Sequence, residues 1–343
     1  MNIFTSSIAA LIISGIISLA ILVLSADFAV KKLTGLAGYF RLSTTFIGVT
    51  VVSLATSIPE IVSHYTASVG ILSGILDYEI SSAIVLGANI GSDVIQQTLI
   101  MAIVIFIAGR LQFKRYFLWK SMGPMIGSTI MCIILGLDGT YSRIDGLILF
   151  GTFILYTMFL YYDERKYYNE EDHGFTADGG MPDHVPQNAA QAWKDAFVSV
   201  IAIGVTILTS IVVLQITENI VFRTGLGGSL IGVVTLGVAS ALPELTTAIS
   251  GIKNGDSGLP LGTLIGSNVT NPLVAIGGGA IISTYWVPGP LVQWDLPWEA
   301  ISGAFLWGVL WFRNGHAGKK TAIYLTIMYF VYVTLRAIFF GKD

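Results

Sequence analysis

Apolar residues fall into ten runs, at 8–30, 44–69, 81–107, 122–137, 144–162, 196–215, 229–252, 259–283, 296–312 and 321–340, separated by polar connectors. A helix rising about 1.5 Å per residue needs roughly 20 residues to cross about 30 Å of hydrocarbon. The pattern therefore predicts an all-α polytopic membrane protein of ten transmembrane helices. One polar stretch is longer than the rest: 163–195 carries eight acidic residues with Gly179, Gly180, Pro182 and Pro186, and reads as a solvated linker. It divides the chain into five runs at 1–162 and five at 196–343. It lacks the alternating Asp and Asn with a closing Glu that a calcium loop requires.

Composition narrows the class. Only 11% of the 343 residues are charged, against roughly 25% in soluble domains, so no appended enzyme domain fits. The net charge of −3 leaves no basic footprint for nucleic acid. Cys132 is the single cysteine, which excludes a disulfide framework and a thiolate metal cluster; it reads as a small core hydrophobe. The first run has no basic leader and no small-residue cleavage site, and is expected to be a retained helix. With the N-terminus outside, 14 of the 18 Lys and Arg residues fall in inner connectors, which predicts both termini outside and the linker 163–195 in the cytoplasm.

The two halves repeat one another. Residues 47–60 read IGVTVVSLATSIPE and 231–244 read IGVVTLGVASALPE, while 86–96 read LGANIGSDVIQ and 261–271 read LGTLIGSNVTN. Five spans per half is an odd number, so the halves must insert with opposite orientation, giving two inverted five-helix repeats with a site expected near the midplane at their interface. A carboxylate there costs at least about 2.5 kcal/mol, so Glu60 and Glu244 must face a cavity or a cation. Pro59 and Pro243 have no N–H and free carbonyls near Ala55 and Ala239. Thr56, Ser57 and Ser240 add hydroxyls, and Ser92, Gln96, Ser267 and Asn271 add further oxygens, each of the last two i, i+4 pairs on one helix face. An all-oxygen set suits hard cations, and two carboxylates are neutralised by one divalent or two monovalent ions.

These motifs, ATSIPE with ASALPE and IGSDVIQ with IGSNVTN, resemble the cation/calcium exchanger superfamily and specifically its Na+/Ca2+ exchanger branch, over essentially the whole chain. The resemblance implies alternating-access antiport at a site shared by both ions. It implies Glu60 and Glu244 as central ligands, with Thr56, Ser57, Ser92, Ser240, Ser267 and the backbone carbonyls of Ser53 and Gly237. Ca2+ and Na+ are then substrates and the bilayer the surroundings, with no cofactor, nucleic acid or obligate protein partner. Three departures bear on coupling: Ala241 replaces a hydroxyl, Gln96 is longer than the common Asn, and Asn271 leaves only two carboxylates.

Other readings have definite signatures. H+/Ca2+ antiport needs only that the glutamates titrate. An intramembrane hydrolase would need a Ser with a base, an HExxH helix or paired aspartates, and none is present. A channel would differ in the size of its currents. Asp93, about 100° around the helix from Ser92, stays outside the expected site, and His64 is expected to be a packed or interfacial residue. Asp27 and Glu218 are expected to line an ion path or to pair with Lys31 and Arg223. Gly48, Gly87, Gly91, Gly232, Gly262 and Gly266 recur in both halves as close-packing positions.

Overall fold

The computed structural model describes residues 7–39, 53–113, 115–170, 185–253 and 258–343. Its helices in the first half are α1 (Ile8–Tyr39), α2 (Ser53–Thr56), α3 (Ile58–Leu72), α4 (Tyr78–Ile95), α5 (Met101–Ala108), α6 (Arg115–Leu135) and α7 (Arg143–Glu170). In the second half they are α8 (Ala189–Thr224), α9 (Gly228–Val234), α10 (Leu236–Ser240), α11 (Leu242–Lys253), α12 (Gly258–Thr270), α13 (Gly277–Ile282), α14 (Leu296–Phe312) and α15 (Lys319–Phe339). Among the described residues four short strands, β1 (Arg110–Gln112), β2 (Thr140–Tyr141), β3 (Tyr285–Trp286) and β4 (His316–Gly318), lie in connectors.

Among the described residues, eight helices are long and apolar enough to cross a membrane. The predicted run at 44–69 begins outside the described residues, and its described part is broken into α2 and α3. The run at 296–312 becomes α14, of 17 residues, entered through a widened π turn at Leu291–Asp295. Strand pairing shows what α14 does. β1 pairs antiparallel with β4, and β2 pairs antiparallel with β3. One member of each pair flanks α6 and the other flanks α14, so these two packed helices run between the same two faces.

Packing directions carry the inversion. The first helices of the two halves, α1 and α8, lie antiparallel: Gly15 meets Ile216, the Ser25 and Thr206 hydroxyls are 2.9 Å apart, and Lys32 Nζ pairs with Asp195 Oδ1 at 2.9 Å. By contrast α4 runs parallel to α9 and α10, Gly87 touching Ser229, Gly91 touching Val233, and Gly237 touching Ala88 and Ser92. The repeat-related pair, α3 with the α12–α13 segment, is also parallel, Tyr65 donating to the Val274 carbonyl and Ser68 to the Gly279 carbonyl. Each half thus supplies one helix to both central pairs.

Local chemistry sets the ends. Asp77 Oδ1 accepts from Ile80 N at 2.8 Å to cap α4, Asn188 Oδ1 accepts from Gln191 N at 2.9 Å to cap α8, and Gly225 ends α8 at φ 66°. The linker predicted at 163–195 is entered by helix from both sides, since α7 continues to Glu170 and α8 starts at Ala189. Arg336, one of the four Lys and Arg residues counted on the outer side, lies inside α15 and is fully buried. Its Nε donates to both oxygens of Asp295, at 3.0 and 2.8 Å, and its Nη2 to Ser229 Oγ at 2.5 Å. These bonds offset part of the cost of burying the guanidinium, whose Nη1 has no hydrogen-bond partner. Cys132 is a free, fully buried core residue.

Glycine is required where backbones touch. A Cβ on Gly232 would stand 2.3 Å from the Ile84 carbonyl oxygen, and one on Gly91 2.7 Å from Val233 Cα. We expect Gly232→Ala to destabilise the protein by about 1–3 kcal/mol or more, read as a lowered melting temperature in detergent. Gly204→Ala, where a Cβ meets nothing within 4 Å, is the control and should leave the melting temperature unchanged or raised.

Candidate functional site

The chain breaks where the repeated Pro-Glu motif begins. Ser57 separates α2 from α3, and Ala241 separates α10 from α11, with Glu60 and Glu244 in the first turns that follow. Pro59 occupies the start of α3, where its missing N–H costs nothing. The two glutamates are 3% and 0% exposed and are electrostatic neighbours. Glu60 Oε1 accepts from Ser92 Oγ at 2.8 Å, whereas Glu60 Oε2 and both oxygens of Glu244 have no hydrogen-bond partner. A buried carboxylate with so few partners is costly unless a cation or proton neutralises it.

The surrounding oxygens come from both halves. Ser240 neighbours Glu60, and Thr56 neighbours Glu244, so each carboxylate faces a hydroxyl of the opposite repeat. Ser57 is fully buried with an unpartnered Oγ. The Gly237 carbonyl accepts from Ser240 Oγ at 3.3 Å, and Ser53 opens α2. Gln96 joins the two GS motifs: its Nε2 donates to Ser92 Oγ at 3.0 Å, and its Oε1 accepts from Ser267 Oγ at 2.5 Å and from Asn268 Nδ2 at 3.3 Å. All eleven sequence-proposed residues lie in these two broken helices and two GS segments, and the side chains described among them are buried.

The helices around the site are not regular. Immediately at Gln96, α4 widens into a π turn, Gln96–Ile100, and α12 does the same at Asn271–Ile276. Pro272, which cannot donate an N–H, sits in the second turn. π turns are frequent at functional sites, and here the same distortion recurs at the last residue of the same motif in both repeats.

Two acids join the network that the sequence reading left out or overlooked. Asp93 Oδ1 accepts from Asn271 Nδ2 at 2.7 Å, leaving Asn271 Oδ1 unpartnered, and Asp93 is an electrostatic neighbour of Glu60, Glu244 and Glu299. Glu299, 2% exposed on α14, accepts from Thr129 Oγ1 at 2.6 Å. A polar bridge leads toward it: Gln97 Nε2 donates to Asn268 Oδ1, and Ser302 Oγ donates to Gln97 Oε1. Its signal in the sequence was an acid inside an apolar run. Among the described residues no three acidic, His or Cys side chains cluster closely enough to hold an ion alone. A bound cation would therefore take neutral oxygens as well.

His64 is packed, as expected, against Tyr285, and Asp27 pairs with Lys31 at 2.8 Å. Glu218 Oε1 accepts from Asp77 N and from Ser81 Oγ, holding the start of α4.

Two inverted halves meeting at paired, buried carboxylates within a membrane define a secondary-active cation antiporter. The chain belongs to the sodium/calcium exchanger protein family, whose sequence model matches residues 10–162 and 195–338. It is 26% identical over 268 residues to the putative antiporter CaxA of Alkalimonas amylolytica, covering 78% of this chain and 79% of that one. Its fold matches the crystal structure of the H+/Ca2+ exchanger CAX with a TM-score of 0.73 and 18% identity, over 95% of this chain and 86% of CAX. It also matches the sodium-calcium exchanger NCX_Mj with a TM-score of 0.59 and 19% identity, over 96% and 99% of the two chains.

Gln96 offers a test of how the halves share the site. Gln96→Leu removes the common partner of Ser92, Ser267 and Asn268, a loss worth about 1–3 kcal/mol. Calorimetric Ca2+ titration should show affinity weakened by roughly tenfold or more. An unchanged affinity would remove Gln96 from the site.

Proposed function

We propose that this protein exchanges Na+ for Ca2+ across the membrane by alternating access, with both ions competing for the oxygens around Glu60 and Glu244. The observation that carries this reading is the glutamate pair itself: three of its four carboxylate oxygens are buried without a hydrogen-bond partner, and hydroxyl groups of both halves neighbour them. One Ca2+ or two Na+ ions cancel the two charges equally well. The ion-free site keeps both charges, and moving it through the barrier is too costly to be a frequent event. That asymmetry couples the two fluxes. The ligands of this reading are Glu60, Glu244, Thr56, Ser57, Ser92, Gln96, Ser240, Ser267 and Asn271, with the carbonyls of Ser53 and Gly237. The halves 1–162 and 196–343 act as the two repeats around the linker 163–195. With the linker in the cytoplasm and both termini outside, Na+ entering down its gradient expels cytoplasmic Ca2+.

H+/Ca2+ exchange is the second reading, favoured by one residue: Ala241 supplies no side-chain oxygen at the break before Glu244, which leaves fewer ligands for a dehydrated Na+. Two protons would neutralise the carboxylates without further ligands.

Calcium uptake into proteoliposomes, with Na+, K+ and pH gradients imposed separately, decides between them. Uptake should follow the Na+ gradient and fall to background in Glu60→Gln and in Glu244→Gln. Uptake that ignores Na+ and follows the pH gradient would establish the second reading, and wild-type exchange by either variant would refute the shared carboxylate site.

A further inference from the structure

Beside Glu60 lies a small cavity of about 10 Å³, lined by Glu60, Ser63, His64, Asn89, Ser240 and apolar residues of α1, α4 and α10. It has room for one water-sized particle or one bare ion. Three buried atoms of its lining residues have no hydrogen-bond partner: Glu60 Oε2, His64 Nε2 and Asn89 Oδ1, on residues that are 3%, 1% and 1% exposed. Glu60 and His64 are four residues apart on α3, so they share one face of that helix. Asn89 approaches from α4, its Nδ2 already used by the Asn271 carbonyl at 3.3 Å, so that Oδ1 is the atom left to serve the cavity.

The chemistry of His64 is fixed from behind. Ser68 donates its hydroxyl proton to the Gly279 carbonyl at 2.9 Å, and Tyr285 donates its own to the His64 carbonyl at 2.9 Å. The Tyr285 oxygen lies 2.7 Å from Ser68 Oγ and 3.2 Å from His64 Nδ1; with its proton given to Ser68 or to the His64 carbonyl, Nδ1 is the ring nitrogen that carries the proton. In a neutral ring this places the lone pair on Nε2. The Val85 backbone is also a hydrogen-bond neighbour of the ring, a contact that a cation at Nε2 would replace. A histidine oriented through its other nitrogen, with a free lone pair beside a carboxylate, has the arrangement that metal-binding histidines adopt.

We propose that Glu60, His64 and Asn89 form a mixed nitrogen and oxygen cation position beside the oxygen-only site, favouring divalent transition-metal ions that accept an imidazole, Co2+ more than Mn2+, over Ca2+. An imidazole ligand raises affinity for these ions, whereas Ca2+ gains little from nitrogen. The proposal rests on Glu60 being a cation ligand, as in the exchange reading. The position extends the ions that one carboxylate can receive without adding charge to the membrane interior.

The test uses the full chain in detergent with Mn2+ alone as probe, read by pulsed electron paramagnetic resonance for hyperfine coupling to a directly bound nitrogen. The wild type should show that coupling. A variant with His173, His184 and His316 all changed to Gln, which keeps His64 as the sole imidazole, should retain it. In His64→Gln the coupling should vanish, and the ratio of Mn2+ to Ca2+ affinity should fall by at least about tenfold. Mn2+ bound without nitrogen coupling in the wild type, or coupling lost in the triple variant, overturns the proposal even where His64→Gln fails to fold. Such a failure leaves the exchange reading intact as long as Ca2+ flux still depends on Glu60 and Glu244. A Glu60→Gln variant with wild-type flux would instead remove both.

Discussion

A carboxylate inside a bilayer must be neutralised, and the architecture of this protein follows from that constraint. Glu60 and Glu244 are placed where neither lipid nor bulk water can reach them, and their own hydrogen bonds are too few to hold the charge. In the proposed exchange the surrounding hydroxyls supply oxygen to a cation, and the helix contacts keep the carboxylates together. The breaks at Ser57 and Ala241 bring both glutamates into first helical turns, where unpaired N–H groups favour negative charge. The hydroxyls of Thr56 and Ser240 cross from one half to the carboxylate of the other. Neither repeat supplies this set of groups alone; in the proposed exchange the ion is held at a seam that the two halves open in turn.

The seam is built from backbone contacts. Glycines at 87, 91, 232 and 237 let α4 meet α9 and α10 without side chains between them, which is how helices associate where burial of apolar surface supplies no driving force. Outside this core α1 and α8 pair with each other, and much of their remaining surface is apolar and exposed, with Ile13, Ile16, Leu24 and Leu208 each at least 60% exposed. The mixed position at His64 fits this division, because its cavity lies between the core helices and α1.

Much of this was legible in the sequence, since duplication and charge scarcity are long-range signals that need no coordinates. The Pro-Glu motifs, the GS motifs and most of the helices follow from them. What was missed depended on packing. The exclusion of Asp93 assumed that a residue 100° from Ser92 turns away from the site, yet α4 is buried on all sides from Ser81 to Ile95, and the side away from Glu60 faces Asn271. Glu299 belongs to an unrepeated position, so duplication gave no warning of it. The π turns at Gln96 and Asn271 arise from how the buried helices meet, and β1 to β4 are too short for any alternation to register. Arg336 was read as a positional charge because its partner, Asp295, is 41 residues away in the chain.

The central claim is that a transported cation sits between Glu60 and Glu244 and takes oxygens from both repeats. The most direct measurement is a density map of the protein in lipid nanodiscs with saturating Ca2+, compared with one recorded in chelator. The expected result is calcium-dependent density bridging the two carboxylates and contacting hydroxyl oxygens of both halves. Calcium-dependent density confined to another part of the molecule, with the Glu60 and Glu244 region unchanged between the two maps, would contradict the account.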